Sequence, residues 1–181
     1  MLSSTPTPHY ARLSIILHWL MLVLLAAVYA CIEFRGLFPR DSAERDLIKS
    51  LHFMLGLTVF VLVWLRLAMR VMRPTPQILP RPPAWQTGLA HLMHALLYLL
   101  MIGMPIAGWL ILSAAGKPIP FYGLELPTLI GKDPDLAKFI KGWHEQIGTW
   151  GYWLIGLHAL AGLYHHYVRR DNTLLRMLPY K

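Results

Sequence analysis

Apolar residues in this chain come in long runs separated by short polar segments, and a membrane-spanning helix needs about 20 largely apolar residues. Four segments approach that length: Leu13 to Ile32, Leu51 to Val71, Leu89 to Ser113 and Ile147 to Tyr167. Within the second, only Leu51 to Leu65 is free of charge before Arg66, but Arg66 and Arg70 are long enough to snorkel toward an interface. Between the second and third runs, Pro74, Pro76, Pro80, Pro82 and Pro83 preclude a helix and predict an extended loop. Four further prolines, at 118, 120, 127 and 134, predict a surface loop over residues 116–135. Pro105 predicts a kink in helix three. The expected fold is an all-α, integral membrane four-helix bundle. It forms a single domain over residues 1–181, with helices at about 13–32, 51–71, 89–113 and 147–167.

Composition agrees with lipid as the solvent: 56% of residues are hydrophobic and 14% charged, against about 25% charged in soluble domains. The first run is longer than the ~7 to 15 residues of a signal-peptide core. Its faint cleavage-like motif, Val28-Tyr29-Ala30-Cys31, carries a bulky tyrosine where processing sites prefer small residues, so the run is expected to remain as the first span. A net charge of +8 could point to nucleic acid, but the basic residues lie between apolar runs, with no polar domain to carry them. No nucleic-acid partner is expected.

Four spans put both termini on one side. This side, side A, also has the proline-rich loop and nine Lys/Arg, Lys181 included, against only Asp171; side B has eight against eight carboxylates. Acidic residues contribute little to the positive-inside rule, so the Lys/Arg totals are nearly level. The arginines packed close to the ends of helices two and three favour a cytoplasmic side A.

Of nine histidines, eight lie in or beside the predicted helices: His18, His52, His91, His94, His144, His158, His165 and His166. Ionisable groups within membrane helices are rare and usually functional, although one buried imidazole can simply hydrogen-bond a neighbouring helix. The spacing separates the two readings. His144 and His158 are 14 residues apart, within about 40° of one helix face and roughly 21 Å apart along the axis. Residues 144, 151, 158 and 165 form a seven-residue stripe toward the bundle interior, with Gly151 leaving room for a flat macrocycle. Packing seams are built from small and aliphatic residues, so this stripe points instead to axial ligands for two haems, one near each leaflet.

Each haem needs a second imidazole from another helix. Near side B the membrane-end histidines are His52 and His144, which pair by elimination. At the deeper level His158 has His18, His91 and His94 to choose from. His18 lies about as far from the side-B end as His158 does, whereas His91 and His94 lie closer to side A. The single cysteine, Cys31, excludes a C-x-x-C-H attachment, so the haems would be noncovalent. Two axial imidazoles fill both open positions of the iron and favour outer-sphere electron transfer. Lys49, Lys138 and Lys141 on side B, and Arg12, Arg66 and Arg70 on side A, could balance propionates or act as interfacial anchors.

These residues resemble the bacterial cytochrome b561 family, and within it the membrane superoxide oxidases. The resemblance runs through His18-Trp19, Glu33-Phe34-Arg35-Gly36-Leu37-Phe38-Pro39-Arg40, His52, Trp143-His144-Glu145 and Gly156-Leu157-His158. It continues through His165-His166-Tyr167 to the block from Asp171 to Pro179. It implies a protein of the bacterial inner membrane with two haem b groups, on His18 with His158 and on His52 with His144. It also implies oxidation of superoxide at the periplasmic side, reduction of ubiquinone, and no obligatory protein partner. His165, Arg66, Arg70, His91 and His94 are candidates for the quinone region; Arg35, Lys49, Lys138 and Lys141 are candidates for superoxide entry. Two other readings stay open: a cytochrome b subunit of a hydrogenase or dehydrogenase, and a non-redox histidine-lined transporter. The short loops and the lack of an inverted repeat argue against the transporter.

Overall fold

A computed structural model describes residues 9–179; Lys181, counted above on side A, lies outside them. Four long helices make the bundle: α1 (Arg12–Phe34), α2 (Ala43–Met72), α3 (Ala84–Ala114) and α4 (Pro134–Tyr164). Where water is absent, backbone polar groups must be satisfied within the segment, and an apolar run of this length does so as a helix.

The helices outrun the apolar segments where the polar sequence favours it. α2 begins eight residues before Leu51 because Ser42 Oγ accepts a hydrogen bond from Arg45 N–H at 3.2 Å. Glu44 and Asp46 then meet the positive end of the helix dipole. α4 begins at Pro134, whose fixed φ suits the first helical position, behind Asp133, whose Oδ1 accepts from Leu136 N–H at 3.0 Å. Pro105 lies within α3.

Neighbouring helices are antiparallel. His52 on α2 meets Val28 on α1, and Met21, Val59, Val63, Leu97 and Met101 form a shared core of α1, α2 and α3. A side chain at Gly108, Gly148 or Gly151 of the α3 and α4 pair would meet His144, Met104 or Leu100, a register that descends along one helix as it rises along the other. Tyr29 closes the ring by donating from α1 to the Gly148 carbonyl of α4 at 2.9 Å.

Many outward-facing side chains are large and apolar, among them Ile16, Val23, Val61, Trp64, Leu99, Trp153, Leu157 and Leu160. A soluble monomer rarely exposes so broad an apolar belt; lipid covers it without penalty. By length and apolarity α1, α2 and α3 qualify as membrane spans. α4 is as long as α3 but is diluted by its Trp, Tyr, His and Gly residues.

The 116–135 loop is more structured than its prolines suggest. Strands β1 (Pro120–Phe121) and β2 (Leu124–Glu125) pair antiparallel across Tyr122 and Gly123, both at positive φ. Ile119 is buried against Leu57 and Leu112 at the side-B end of the bundle. Trp109 Nε1 donates to the Pro127 carbonyl, and the Tyr122 hydroxyl bonds Thr58 Oγ1 at 2.9 Å, so the loop is fastened to α3 and α2.

On side A, α4 passes into a π-turn (His165–Arg169), and the chain folds back beneath the bundle. The Asn172 side chain accepts from Leu79 N–H at 2.8 Å, and Asn172 N–H donates to the Leu79 carbonyl at 3.1 Å. The buried Arg176 donates to the Pro76 carbonyl and lies over the Tyr10 ring, while Trp19 Nε1 reaches the Met177 carbonyl. This clasp joins the proline-rich loop, the start of α1 and the C-terminal segment.

Candidate functional site

The long helices bring the interior histidines together at two depths. Near side B, His52 of α2 and His144 of α4 face each other with ring centroids 6.3 Å apart and planes inclined by 74°. Deeper, His18 of α1 and His158 of α4 stand 6.2 Å apart at the same inclination. Two imidazoles sharing one metal through nitrogen bonds of ~2 Å place their centroids roughly 6 Å apart. Both pairs have that separation. His94 of α3 also approaches His158, at 5.5 Å, so depth alone did not exclude it; the closer spacing differs from that of the other two pairs. His91 is exposed on the outer face of α3.

His52 Nδ1 lies 3.1 Å from the Val28 carbonyl. A donor bond there fixes the tautomer and leaves Nε2 directed elsewhere, as with most metal-bound histidines. His144 Nδ1 is buried with no hydrogen-bond partner. Both rings line a cavity of about 810 Å³, together with Val28, Leu57, Val59, Leu100, Met101, Met104 and Leu112. Gly56 and Gly108 also border it, and a Cβ at Gly56 would project into open space. The size suits a cofactor, and the walls are apolar. Among the described residues, no three of His, Cys, Asp and Glu gather as they would around a bare metal ion. Paired imidazoles beside a broad apolar space are instead the donors that haem needs, because the macrocycle supplies the other four nitrogens.

The rim of the cavity is basic. Arg35, Lys49, Lys138 and Lys141, named above for superoxide entry, all line it, together with Arg40, Arg45 and Lys117, against Glu33 and Glu145. Asp41, Glu44, Asp46, Asp133 and Asp135 are not part of the lining. Glu33 accepts from the Tyr152 hydroxyl at 2.6 Å, Glu145 lies 3.6 Å from Lys141, and Lys49 is itself paired with Asp46 at 2.8 Å. Arg45 donates to the Arg35 and Phe38 carbonyls and so holds the turn between α1 and α2. An overall balance of charge on side B therefore conceals a local excess of cations, which the linear sequence did not reveal.

Gly151 has another use than the one read from the stripe. A Cβ there would run into the Tyr29 hydroxyl and lie 3.3 Å from Leu100, so its space is already taken by α1 and α3. Tyr29, packed against Tyr152 with centroids 4.3 Å apart and planes inclined by 52°, is where α1 and α4 approach, between the two histidine levels. Nothing in the local sequence marks it.

At the side-A end, His165 Nδ1 lies 2.5 Å from Asp171 Oδ2, and the carboxylate is 4% exposed. Burial pushes the Asp171 carboxyl up, but hydrogen bonds from His165 and Thr173 outweigh it and hold it below the ordinary carboxylate range. Asp171 was missed as a site residue; its one signal was being the lone acid on side A. Arg70 donates to the Tyr10 hydroxyl at 3.1 Å, on the clasp. Arg66 Nη1 is buried without a hydrogen-bond partner.

Opposed imidazoles held inside a membrane bundle, with a cofactor-sized apolar cavity lined by one pair, define the class of membrane b-type cytochromes. Comparison with known proteins narrows the class. The pattern of the family described as Prokaryotic cytochrome b561 matches residues 9–180, and the chain belongs to that family. It is 42% identical over 172 residues to the Probable superoxide oxidase CybB of Yersinia pestis, covering 95% of this chain and 97% of that protein. It is 38% identical over 170 residues to Cytochrome b561 homolog 1 of Escherichia coli strain K12, covering 94% and 97%. It is also similar to Cytochrome b561 homolog 2 of the same strain, 30% identical over 183 residues, covering 98% and 95%. The protein is thus a membrane cytochrome that binds haem b and transfers electrons.

Proposed function

We propose that the protein is a two-haem superoxide:ubiquinone oxidoreductase of the bacterial inner membrane, with side B periplasmic and both termini cytoplasmic. The observation that carries this reading is the pair of closely matched His–His separations, 6.2 and 6.3 Å, at two depths, the outer one opening to a cation-lined mouth. The similarity to a protein named as a probable superoxide oxidase supports the donor.

His52 with His144, and His18 with His158, would hold the haems through their imidazoles, and the bound groups would supply one-electron transfer. The Val28 carbonyl orients His52. The apolar walls around Met101, Met104 and Leu112 keep water from the outer pair. Arg35, Lys49, Lys138 and Lys141 draw the superoxide anion to the mouth and raise its encounter rate by ~10-fold or more. Two superoxide anions are oxidised to two dioxygen molecules, and ubiquinone takes up the two electrons and two protons to become ubiquinol.

The quinone is placed by this reading at the side-A end, where His165 can hydrogen-bond a carbonyl oxygen and pass it a proton. In the imidazolium form that this step uses, His165 Nδ1–H donates to the Asp171 carboxylate and Nε2–H is left for that contact. The assay supplies enzymatically generated superoxide to purified protein with oxidised ubiquinone, with and without superoxide dismutase. Quinol should form, and the dismutase should suppress it; quinol formation that is absent or indifferent to the dismutase rules out superoxide as the donor.

A further inference from the structure

Arg66 is a half-buried cation on a membrane helix. It follows the buried Val59 and Val63 on one face of α2, three residues beyond Val63, so that face directs it toward the interior rather than toward lipid. Val63 packs in one core cluster with Met21 and Leu97, each three residues from His18 or His94 on its own helix, which places Arg66 at the deeper histidine level. Its Nη1 is buried without a hydrogen-bond partner, and among the described residues no carboxylate lies within ion-pair reach of it. The acid of side A, Asp171, has Oδ2 on His165 and Oδ1 on Thr173 N–H at 2.9 Å. The described residues therefore supply no counter-ion. An uncompensated cation in a low-dielectric interior is strongly unfavourable, so such a site calls for an anion from outside the chain.

We propose that Arg66 is the anion-binding residue of the deeper level and that its guanidinium holds a propionate carboxylate of the haem there. This rests on the reading of His18 and His158 as a ligand pair. A planar guanidinium fork matches a carboxylate in two parallel hydrogen bonds and cancels its charge. A neutral quinone carbonyl would accept a hydrogen bond but leave the charge uncompensated. Arg70, one turn further on, is exposed and donates to the Tyr10 hydroxyl at the clasp, so its charge is met by solvent.

The test uses the purified holoprotein, with both haems titrated by spectroelectrochemistry in wild type, Arg66→Met and Arg66→Lys. A cation beside the propionate favours the reduced haem. Arg66→Met should therefore weaken the reduction equilibrium of one haem by about tenfold, a fall of ~59 mV for a one-electron couple, and leave the other unchanged. Arg66→Lys keeps the charge without the fork and should shift the same haem less. If Arg66→Met fails to retain that haem, a lowered potential in Arg66→Lys carries the same conclusion. Two unchanged potentials, or equal shifts in both, overturn the proposal; unchanged potentials with a raised quinone KM would assign the guanidinium to quinone instead. Failure of the ligand reading is seen separately, as two haems retained in His18→Ala.

Discussion

Replacing Gly151 with alanine should loosen the bundle where α1 and α4 meet. The added methyl collides with the Tyr29 hydroxyl and sits 3.3 Å from Leu100 Cδ2 and Tyr29 Cζ, so Tyr29 must move. Overpacking a closed interior costs about 1–3 kcal/mol. A displaced Tyr29 also loses its 2.9 Å bond to the Gly148 carbonyl, worth about 1 kcal/mol net. Gly151→Ala should therefore cost roughly 2–4 kcal/mol. Tyr29→Phe alone removes the hydrogen bond and should cost about 1 kcal/mol. In the double variant the colliding oxygen is gone, so the two costs should fall short of their sum by at least ~1 kcal/mol. The assay is reversible unfolding in detergent, followed by loss of haem absorbance. Because Tyr29 spaces α1 from α4, the single glycine variant should also perturb the spectrum of the deeper haem, whose proposed ligands come from these two helices. Additive costs in the double variant, or a neutral Gly151→Ala, would refute the reasoning.

His144→Ala should leave one six-coordinate haem of two, counted by pyridine haemochrome against protein, because the deeper pair draws on different residues; two retained haems would reject the pairing. Neutralising Lys138 and Lys141 together should slow haem reduction by superoxide several-fold in a stopped-flow trace, and added salt should slow the wild type toward the same rate as it screens the mouth. The folded Asp171 carboxyl titrates below its ordinary value, so its contribution to the clasp is complete above about pH 4 and is lost as pH falls through the lower folded value. Limited proteolysis of the C-terminal segment should accelerate over that acid range in wild type, whereas Asp171→Asn should be cut at a rate that does not change there.

The bundle was readable because lipid imposes one rule on backbone hydrogen bonding, and runs such as Leu13 to Ile32 obey it visibly. That His52 and His144 face each other could be derived because each opens an apolar segment at the same end. The partner of His158 was harder to choose: α3 brings His94 closer to it, at 5.5 Å, than α1 brings His18, at 6.2 Å, a matter of helix rotation that apolar runs do not encode. Long-range contacts were beyond the pattern. Tyr29 meets Gly148 across 119 residues, and Arg176 meets Pro76 across 100, through single side chains with no local signature. The basic mouth was hidden for a related reason: a sum over side B weighs Asp41 and Asp135 equally with Lys141, whereas folding turns only some of them toward the cavity.

α4 contributes a histidine to both pairs, His144 to one and His158 to the other. During synthesis, the α1–α2 hairpin and then α3 can enter the bilayer and pack while each still lacks a partner imidazole. Neither pair is complete in a nascent chain that ends before residue 144, and the deeper one awaits residue 158. On the proposed ligation, a ribosome stalled after α3 would therefore hold a membrane-inserted intermediate with no haem bound between paired imidazoles. Loading would then follow insertion of α4, with the outer pair available first and the side-A clasp closing last.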